Sequence, residues 1–359
     1  MVQSSGLFPN IRYNMVAKAE LGKTGLMIPS IVFGSSDLGN LYRAMPLEEK
    51  CGIIKKCIDL TLPNTVFDSA GKYGAGLALE VLGECLHQLE IPADTIIISN
   101  KLGWVRSPLI GPEPTFEPGV WKDIRHDAVQ RISYDGILAC FEEGNQLLKH
   151  YVPQLVSVHD PDEYLAAAKD PAEEERRFDD ILEAYRALHD LKKQGLVAGI
   201  GVGVKDWRVI PRIYDQVDLD WVMIANSLTV YHHPQPLLDF IEHLRVQQVG
   251  IINAAVFQGG FLVGGDHFNY RPIRPDTPEN ITLLNWRKSF FDVCQSFGIT
   301  PSHACIQFGL SVPGVSSVAL STADQDKVAE NFRATRERIS PEFWEEMKNR
   351  KLISNISFL

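Results

Sequence analysis

Residues 64–76 read NTVFDSAGKYGAG. A short β-branched, apolar run of the kind that forms a buried strand ends in Asp68, and Tyr73 follows inside a glycine-bounded turn. The fold depends on whether this strand belongs to a series. Upstream lies SIVFG (30–34), and downstream follow TIIISNK (95–101), LVSVH (155–159), VAGIGV (197–202), WVMIAN (221–226), GIIN (250–253) and SVALS (317–321). Longer stretches with apolar residues at helical spacing separate them. PLEEKCGIIKKCIDL opens on Pro46 and gathers Ile53, Ile54, Cys57 and Ile58 on one face. FDDILEAYRALHDLKKQG closes on a lysine pair and a glycine, as helix C-termini do. Eight strands alternating with helices predict an α/β fold, and a closed (β/α)8 TIM barrel accounts for them more simply than an open sheet.

AELGKTGLMIP (19–29) reads as a β-hairpin placed to cap one end of that barrel. Residues 102–133 and 254–280 are too long for simple turns. Each follows a strand, which puts both long loops at the C-terminal mouth, where barrel active sites are built. The acidic stretch DPAEEERRFDD (170–180) reads as a solvated helix start. One barrel domain is therefore expected over residues 19–359, preceded by a mobile extension, residues 1–18. The opening MVQSSGLFPNIRYNMVAKAE has no basic segment followed by an apolar one, so it does not read as a secretory signal.

The chain has 359 residues and a formal net charge of -10, which argues against a nucleic-acid partner needing a basic face. A mean hydropathy of -0.07 and the lack of a membrane-length apolar run argue against a bilayer. Cys51, Cys57, Cys85, Cys140, Cys294 and Cys305 lie within apolar helical patterns with no C-x-x-C pair or metal-ligand spacing. They are expected to be reduced core thiols in a cytoplasmic protein that holds no metal.

Four side chains at consecutive strand ends handle protons: Asp68 and Tyr73 after the second strand, Lys101 closing the third, His159 closing the fourth. Singly, each has a bland reading as a cap, a core ring or a hydrogen-bonded loop residue. Together they converge on one mouth, and a lysine ending the apolar run TIIISN needs a counterion there, which Asp68 can supply. A phenol with an ordinary pKa near 10 becomes a usable base beside a cation. Such a set exchanges a proton at a substrate oxygen while a cofactor moves a hydride.

FDSAGKYGAGLALEVLGECL, IIISNKLGW and SVHDPDE, with LGKTGL, FGSSDLGN and VAENF around them, resemble the aldo-keto reductase superfamily over residues 19–335. VHDPD and GIGVGV resemble its aldose 1-dehydrogenase branch, which includes L-fucose, D-threo-aldose and L-galactose dehydrogenases. The resemblance implies NAD or NADP bound without a glycine-rich Rossmann loop, and GIGVGV reads as strand rather than dinucleotide fingerprint. It assigns Tyr73 as acid/base, Lys101 as its modulator, Asp68 as the lysine's partner and His159 as the substrate-orienting group. The implied reaction is oxidation of an aldose at C1 to an aldonolactone.

The resemblance further places Ser35 near the nicotinamide, NAAVFQGGFL (253–262) with Phe257, Gly260 and Leu262 over the pyrophosphate, and LSTADQDKVAEN (320–331) with Ser321, Lys327 and Asn331 around the adenosine. The family's Ser-Asn pair after the fifth strand is replaced here by Gly203 and Val204, so the carboxamide contact falls to Asn226. Ser321 stands where NADP-dependent relatives carry a lysine, and Asp324 and Asp326 repel a 2'-phosphate, which favours NAD over NADP. Trp104, three residues beyond Lys101, and Trp121 are the candidate sugar-facing rings, with Phe116 beside them. Rival readings are an oxidoreductase acting on a non-sugar such as pyridoxal, a glycosidase using Asp160, Asp162 or Glu163, and a non-catalytic cofactor-binding regulatory subunit.

Overall fold

The computed structural model describes residues 18–359 except Tyr270. The expected mobile extension thus lies outside the described residues, apart from Lys18, which begins a strand. Eight strands close into a barrel: β1 (Ile31–Gly34), β2 (Thr65–Ala70), β3 (Ile96–Leu102), β4 (Leu155–His159), β5 (Gly199–Val204), β6 (Trp221–Ala225), β7 (Gly250–Ala254) and β8 (Val315–Leu320). Every neighbouring pair is parallel, and β8 returns to β1. The expected (β/α)8 barrel is the fold.

The strands read as near-continuous apolar runs because both faces are buried. Alternation decides which residues enter the barrel. Ile96 and Ile98 pack outward in the helix-facing core, while Ile97 joins Val32, Val66, Leu155, Trp221, Met223 and Ile252 in the separate interior cluster. Strands Lys18–Glu20 and Met27–Pro29 form the predicted antiparallel hairpin. Its Leu21 and Ile28 are fully buried in that interior cluster, so it plugs the N-terminal end.

GIGVGV is explained by the same alternation. Ile200, Val202 and Val204 face the outer helices, leaving the intervening glycines to face in. A β-carbon at Gly201 would fall 2.3 Å from the Trp221 ring, and one at Gly203 would fall 2.9 Å from Cδ of Lys101. These glycines make room for an interior indole and for the lysine at the mouth.

The helices follow the expected pattern. Asp170 caps the helix Pro171–Lys193 by accepting from the Glu173 amide, so the acidic stretch is indeed a helix start. Between β3 and β4 the long segment forms an antiparallel hairpin, Trp104–Pro108 with His126–Gln130, which the sequence reading treated as loop. The segment after β7 contains a second, two-residue hairpin, His267–Phe268 with Arg271–Pro272.

The cysteine expectation needs correction. Cys51 on the helix Leu47–Thr61 and Cys85 on the helix Leu77–Gln88 form a disulfide, while Cys57, Cys140, Cys294 and Cys305 are buried thiols. No sequence spacing announced the pair, because packing of two successive helices brings the sulfurs together. Among the described residues no helix is long and apolar enough to cross a membrane.

Candidate active site

The parallel register carries four chemical groups to the C-terminal mouth. Asp68 pairs with Ser99, Lys101 with Ser157, and His159 with Gly203. Asp68, Ser99, Lys101, Ser157 and His159 are all buried, and Asp68, Lys101 and His159 are each at most 4% exposed. The Lys101 ammonium is hydrogen bonded to Oδ2 of Asp68, whose Oδ1 accepts from Ser99 Oγ at 3.0 Å. The same ammonium sits 4.8 Å from the centroid of the Tyr73 ring. The His159 ring meets the Tyr73 ring edge-on at 5.6 Å and 87°. The structure thus brings together Asp68, Tyr73, Lys101 and His159, as expected from their strand ends.

His159 is held neutral. Burial is the main cause, and the nearby Lys101, Lys72 and Lys205 charges push its pKa further down, well below the usual imidazole value. Its Nδ1 has no partner within the protein. That nitrogen is buried, while Nε2 lies 3.6 Å from Asp160 Oδ2, and a neutral imidazole at the cavity wall is suited to hydrogen bonding a ligand oxygen.

A cavity of about 1950 Å³ opens over these groups. It extends from Asp68, Tyr73, Lys101 and His159 to Ser321, Lys327 and Asn331, a span that takes in both the proton-handling group and the segment expected to hold adenosine. Asn226, Phe257 and Gly260 also line it. Asn226 is 8% exposed with Oδ1 unpartnered, and its backbone oxygen accepts from Nε2 of the buried Gln258. Thr229 Oγ1 donates to the other end of that glutamine at 2.7 Å, so a buried amide braces the turn that presents Asn226.

Three expected positions depart from the cavity surface. Ser35 and Leu262 are fully buried and are not among its lining residues, Leu262 because it packs in the outer core. Trp104 is not among them either; it packs on Phe116 at 5.8 Å and covers the Lys72 ammonium at 5.3 Å. The strand Trp104–Pro108 turns that ring under the long segment instead of toward the mouth. Trp121 does line the cavity, with its ring 6.0 Å from Tyr73 and stacked on Phe116 at 6.4 Å. The two tryptophans therefore exchange the priority that sequence distance from Lys101 gave them.

The sequence reading missed a second ionic group beside the first. Lys72, adjacent to Tyr73 in sequence, is buried with Glu117, Asp160 and Glu163 within 3.3 Å of its ammonium. Lys205 reaches Asp160 at 3.3 Å and Glu163 at 2.6 Å. Burial alone would raise the Asp160 carboxyl, but Lys205 and Lys72 hold it below its ordinary value. Burial pushes Asp162 up to about 6, although the Asp206 amide donates to it at 2.8 Å. The carboxylates considered for glycoside chemistry are thus engaged with lysines or backbone amides. The signal available in the sequence was Lys72 itself, inside the motif that delivers Tyr73.

At the far end, Asp37 and Ser321 bond reciprocally: the Asp37 amide donates to Ser321 Oγ at 3.4 Å, and that hydroxyl donates to Asp37 Oδ2. Burial raises the Asp37 carboxyl, opposed by the Ser321 bond. Asp324 caps the helix Gln325–Ala334, and Lys327 lies 3.5 Å from Glu330.

The Aldo/keto reductase family matches residues 30–350. The chain is a member of the aldo/keto reductase family. Its relatives fall in the branch expected from the sequence. It is 25% identical to pyridoxal 4-dehydrogenase of Microbacterium luteolum, covering 94% of this chain and 98% of that protein. It is 24% identical to D-threo-aldose 1-dehydrogenase of a Pseudomonas species, covering 92% and 96%. It is 23% identical to L-galactose dehydrogenase of Arabidopsis thaliana, covering 88% and 87%. Among solved structures, an aldo-keto reductase of Bacillus halodurans in its holo form superposes with a TM-score of 0.68 at 18% identity, covering 95% of this chain and 97% of that one. These likenesses make the protein an oxidoreductase of a family that uses NAD or NADP. A long cavity lined by Asn226, Ser321 and Asn331, with the Asn226 amide oxygen lacking a partner, fits such a dinucleotide.

Proposed function

We propose that this aldo/keto reductase oxidises the anomeric C1 of an aldose of the L-fucose, D-arabinose or L-galactose type to an aldonolactone, with NAD as the preferred acceptor. When bound, the dinucleotide would supply an acceptor for the C1 hydrogen as hydride, a proton with two electrons. Tyr73 takes the C1 hydroxyl proton on its phenol oxygen, leaving a C=O at C1. Lys101, held by Asp68, places a positive charge beside the ring, which favours the phenolate that this step requires. Neutral His159 orients the reacting oxygen. Trp121 offers an apolar face beside Tyr73 on which the CH surface of a sugar packs.

The observation that carries this reading is the Lys101 ammonium placed between the Asp68 carboxylate and the Tyr73 ring at the cavity floor. Asn226 takes the carboxamide-binding role, supported by its unpartnered oxygen. The preference for NAD is supported by Asp37 on the cavity wall and by Asp324 and Asp326 at the start of the neighbouring helix, with Lys327 already paired. A second reading, oxidation of pyridoxal, is favoured by the 25% identity to the pyridoxal 4-dehydrogenase and by the same Trp121 face.

The test is absorbance at 340 nm with NAD and NADP against L-fucose, D-arabinose, L-galactose, L-xylose and pyridoxal. The expected result is turnover on an aldose with NAD. Turnover confined to pyridoxal selects the second reading, and NAD binding without turnover on any alcohol selects the regulatory subunit. Tyr73→Phe is expected to retain dinucleotide binding and lose turnover by at least about a hundredfold, within the usual range for general acid/base assistance. Full turnover in that variant moves proton transfer to another group.

A further inference from the structure

Three successive loops at the mouth meet at one buried amine, and a fourth binds two of its carboxylates. Lys72, on the turn after β2, has an ammonium 2.9 Å from Glu117 on the segment after β3. On its other side lie Asp160 at 3.3 Å and Glu163 at 3.2 Å, both after β4. Lys205, after β5, binds the same two carboxylates. The Lys72 side chain is 5% exposed, so its three N–H donors depend on these acceptors rather than on water. The Trp104 ring closes a further side at 5.3 Å.

Glu117 has a second bond. The Trp121 indole N–H donates to Glu117 Oε2 at 2.7 Å, while Lys72 meets Oε1 of the same carboxylate. One carboxylate therefore links the buried amine to the ring that faces Tyr73. The backbone of this segment is held independently. Val120 accepts from the Tyr42 amide at 2.8 Å, and the Lys122 amide donates to Asn40 at 3.0 Å, with the Asn40 side chain returning a bond to Lys122. These contacts place the segment against the loop after β1. The indole itself is held by its stack on Phe116 and by the one directional contact of its N–H, the bond to Glu117.

We propose that Lys72 is a positioning residue: anchored by Asp160 and Glu163, it sets the Trp121 ring against Tyr73 through Glu117. Two neighbouring lysines thus divide the work. Lys101 acts on the phenol, and Lys72 shapes the wall that a substrate must fit. The proposal rests on the functional reading only in taking Trp121 as that wall, and one of its two readouts needs no substrate.

The test uses Lys72→Met and Glu117→Ala in the full chain, each with and without Trp121→Phe. Acrylamide quenching of the ligand-free protein reads Trp121 as the difference between the paired proteins. Trp121 is 5% exposed, so it is expected to be shielded in the parent and severalfold more accessible in both variants. With L-fucose, or the fastest substrate of the panel, KM is expected to rise by about tenfold or more while kcat changes by less than about threefold. Lys72→Met in the Glu117→Ala background is expected to add less than twofold, because both changes break one linkage. Unchanged quenching and an unchanged KM in folded variants overturn the proposal. So does a fall in kcat at constant KM, which places Lys72 in proton transfer. If Lys72→Met does not fold, Glu117→Ala decides alone, since Glu117 is partly exposed and its loss leaves the backbone contacts in place. If Tyr73→Phe keeps full turnover while quenching still rises in these variants, the functional reading fails and the positioning role stands.

Discussion

The barrel interior is apolar in its lower half and ionic in its upper half, and on three strands the change takes one or two steps of two residues. Val66 gives way to Asp68, Ile97 to Ser99 and then Lys101, and Leu155 to Ser157 and then His159. The same alternation aims both sets inward. The lower half needs no partners: Leu21 and Ile28 close it, and Trp221 fills it. The upper half is buried to a similar degree but holds charge, and it tolerates that charge because Lys101 is matched by Asp68 and Lys72 by three carboxylates. One half is built from volume, the other from pairing. Substitutions in the two should therefore fail in different ways.

The largest effect is expected for Lys101→Met. It leaves Asp68 as an unpaired buried charge, at a cost of about 3–5 kcal/mol in denaturant unfolding, and it also lowers turnover. Lys101→Met combined with Asp68→Leu is expected to recover much of the stability and none of the turnover. Recovery of both would make the pair structural and break the contrast. In the lower half, Trp221→Ala is expected to cost a similar 3–5 kcal/mol through the cavity it leaves, while turnover per folded molecule stays within about twofold. A large fall in kcat there would show that the two halves are not independent.

The Cys51–Cys85 disulfide lies outside both halves and provides a reference. Cys51→Ser with Cys85→Ser is expected to cost about 2–4 kcal/mol, given the 34-residue separation it spans, with little change in turnover. Thiol titration in denaturant should find four groups before reduction and six after.

The smallest effect is expected from pH. Because burial and the neighbouring lysines depress the folded-state pKa of His159, the unfolded chain takes up its proton first as pH falls below about 6.5. Its contribution to stability is complete above that pH and is lost as pH falls toward the folded pKa, by up to about 1.4 kcal/mol per pH unit. Asp162, raised to about 6, acts with the opposite sign in the window between the carboxylate range and 6. The measurement is therefore the difference between the parent and His159→Gln, in urea, from pH 7.5 to 5. A flat difference would mean that His159 has the same pKa in the folded and unfolded chain.

Much of this was legible before any coordinates. Each predicted strand core lies within a barrel strand, because buried parallel strands leave short apolar runs that end in turn residues. VAGIGV is displaced by two residues, to Gly199–Val204, because the inward glycines carry no hydrophobic signal. The hairpin Trp104–Pro108 with His126–Gln130 was hidden for a similar reason: WVRSP and HDAVQ lack a clear alternation. Asp68, Lys101 and His159 were readable as strand ends, but the burial of Lys72 was not, since a lysine in a turn looks solvated until two other loops are seen to enclose it.

By itself, then, the sequence determined the barrel, the hairpin that closes it and the four groups at its mouth, because periodicity and strand ends are local properties of the chain. Only the tertiary structure decided that Trp121 rather than Trp104 faces the cavity, that two of the six cysteines are joined, and that a second lysine binds three loops together. Each of those depends on side chains far apart in sequence meeting where water is excluded, and burial there is what turns an ordinary lysine, indole or thiol into a committed contact.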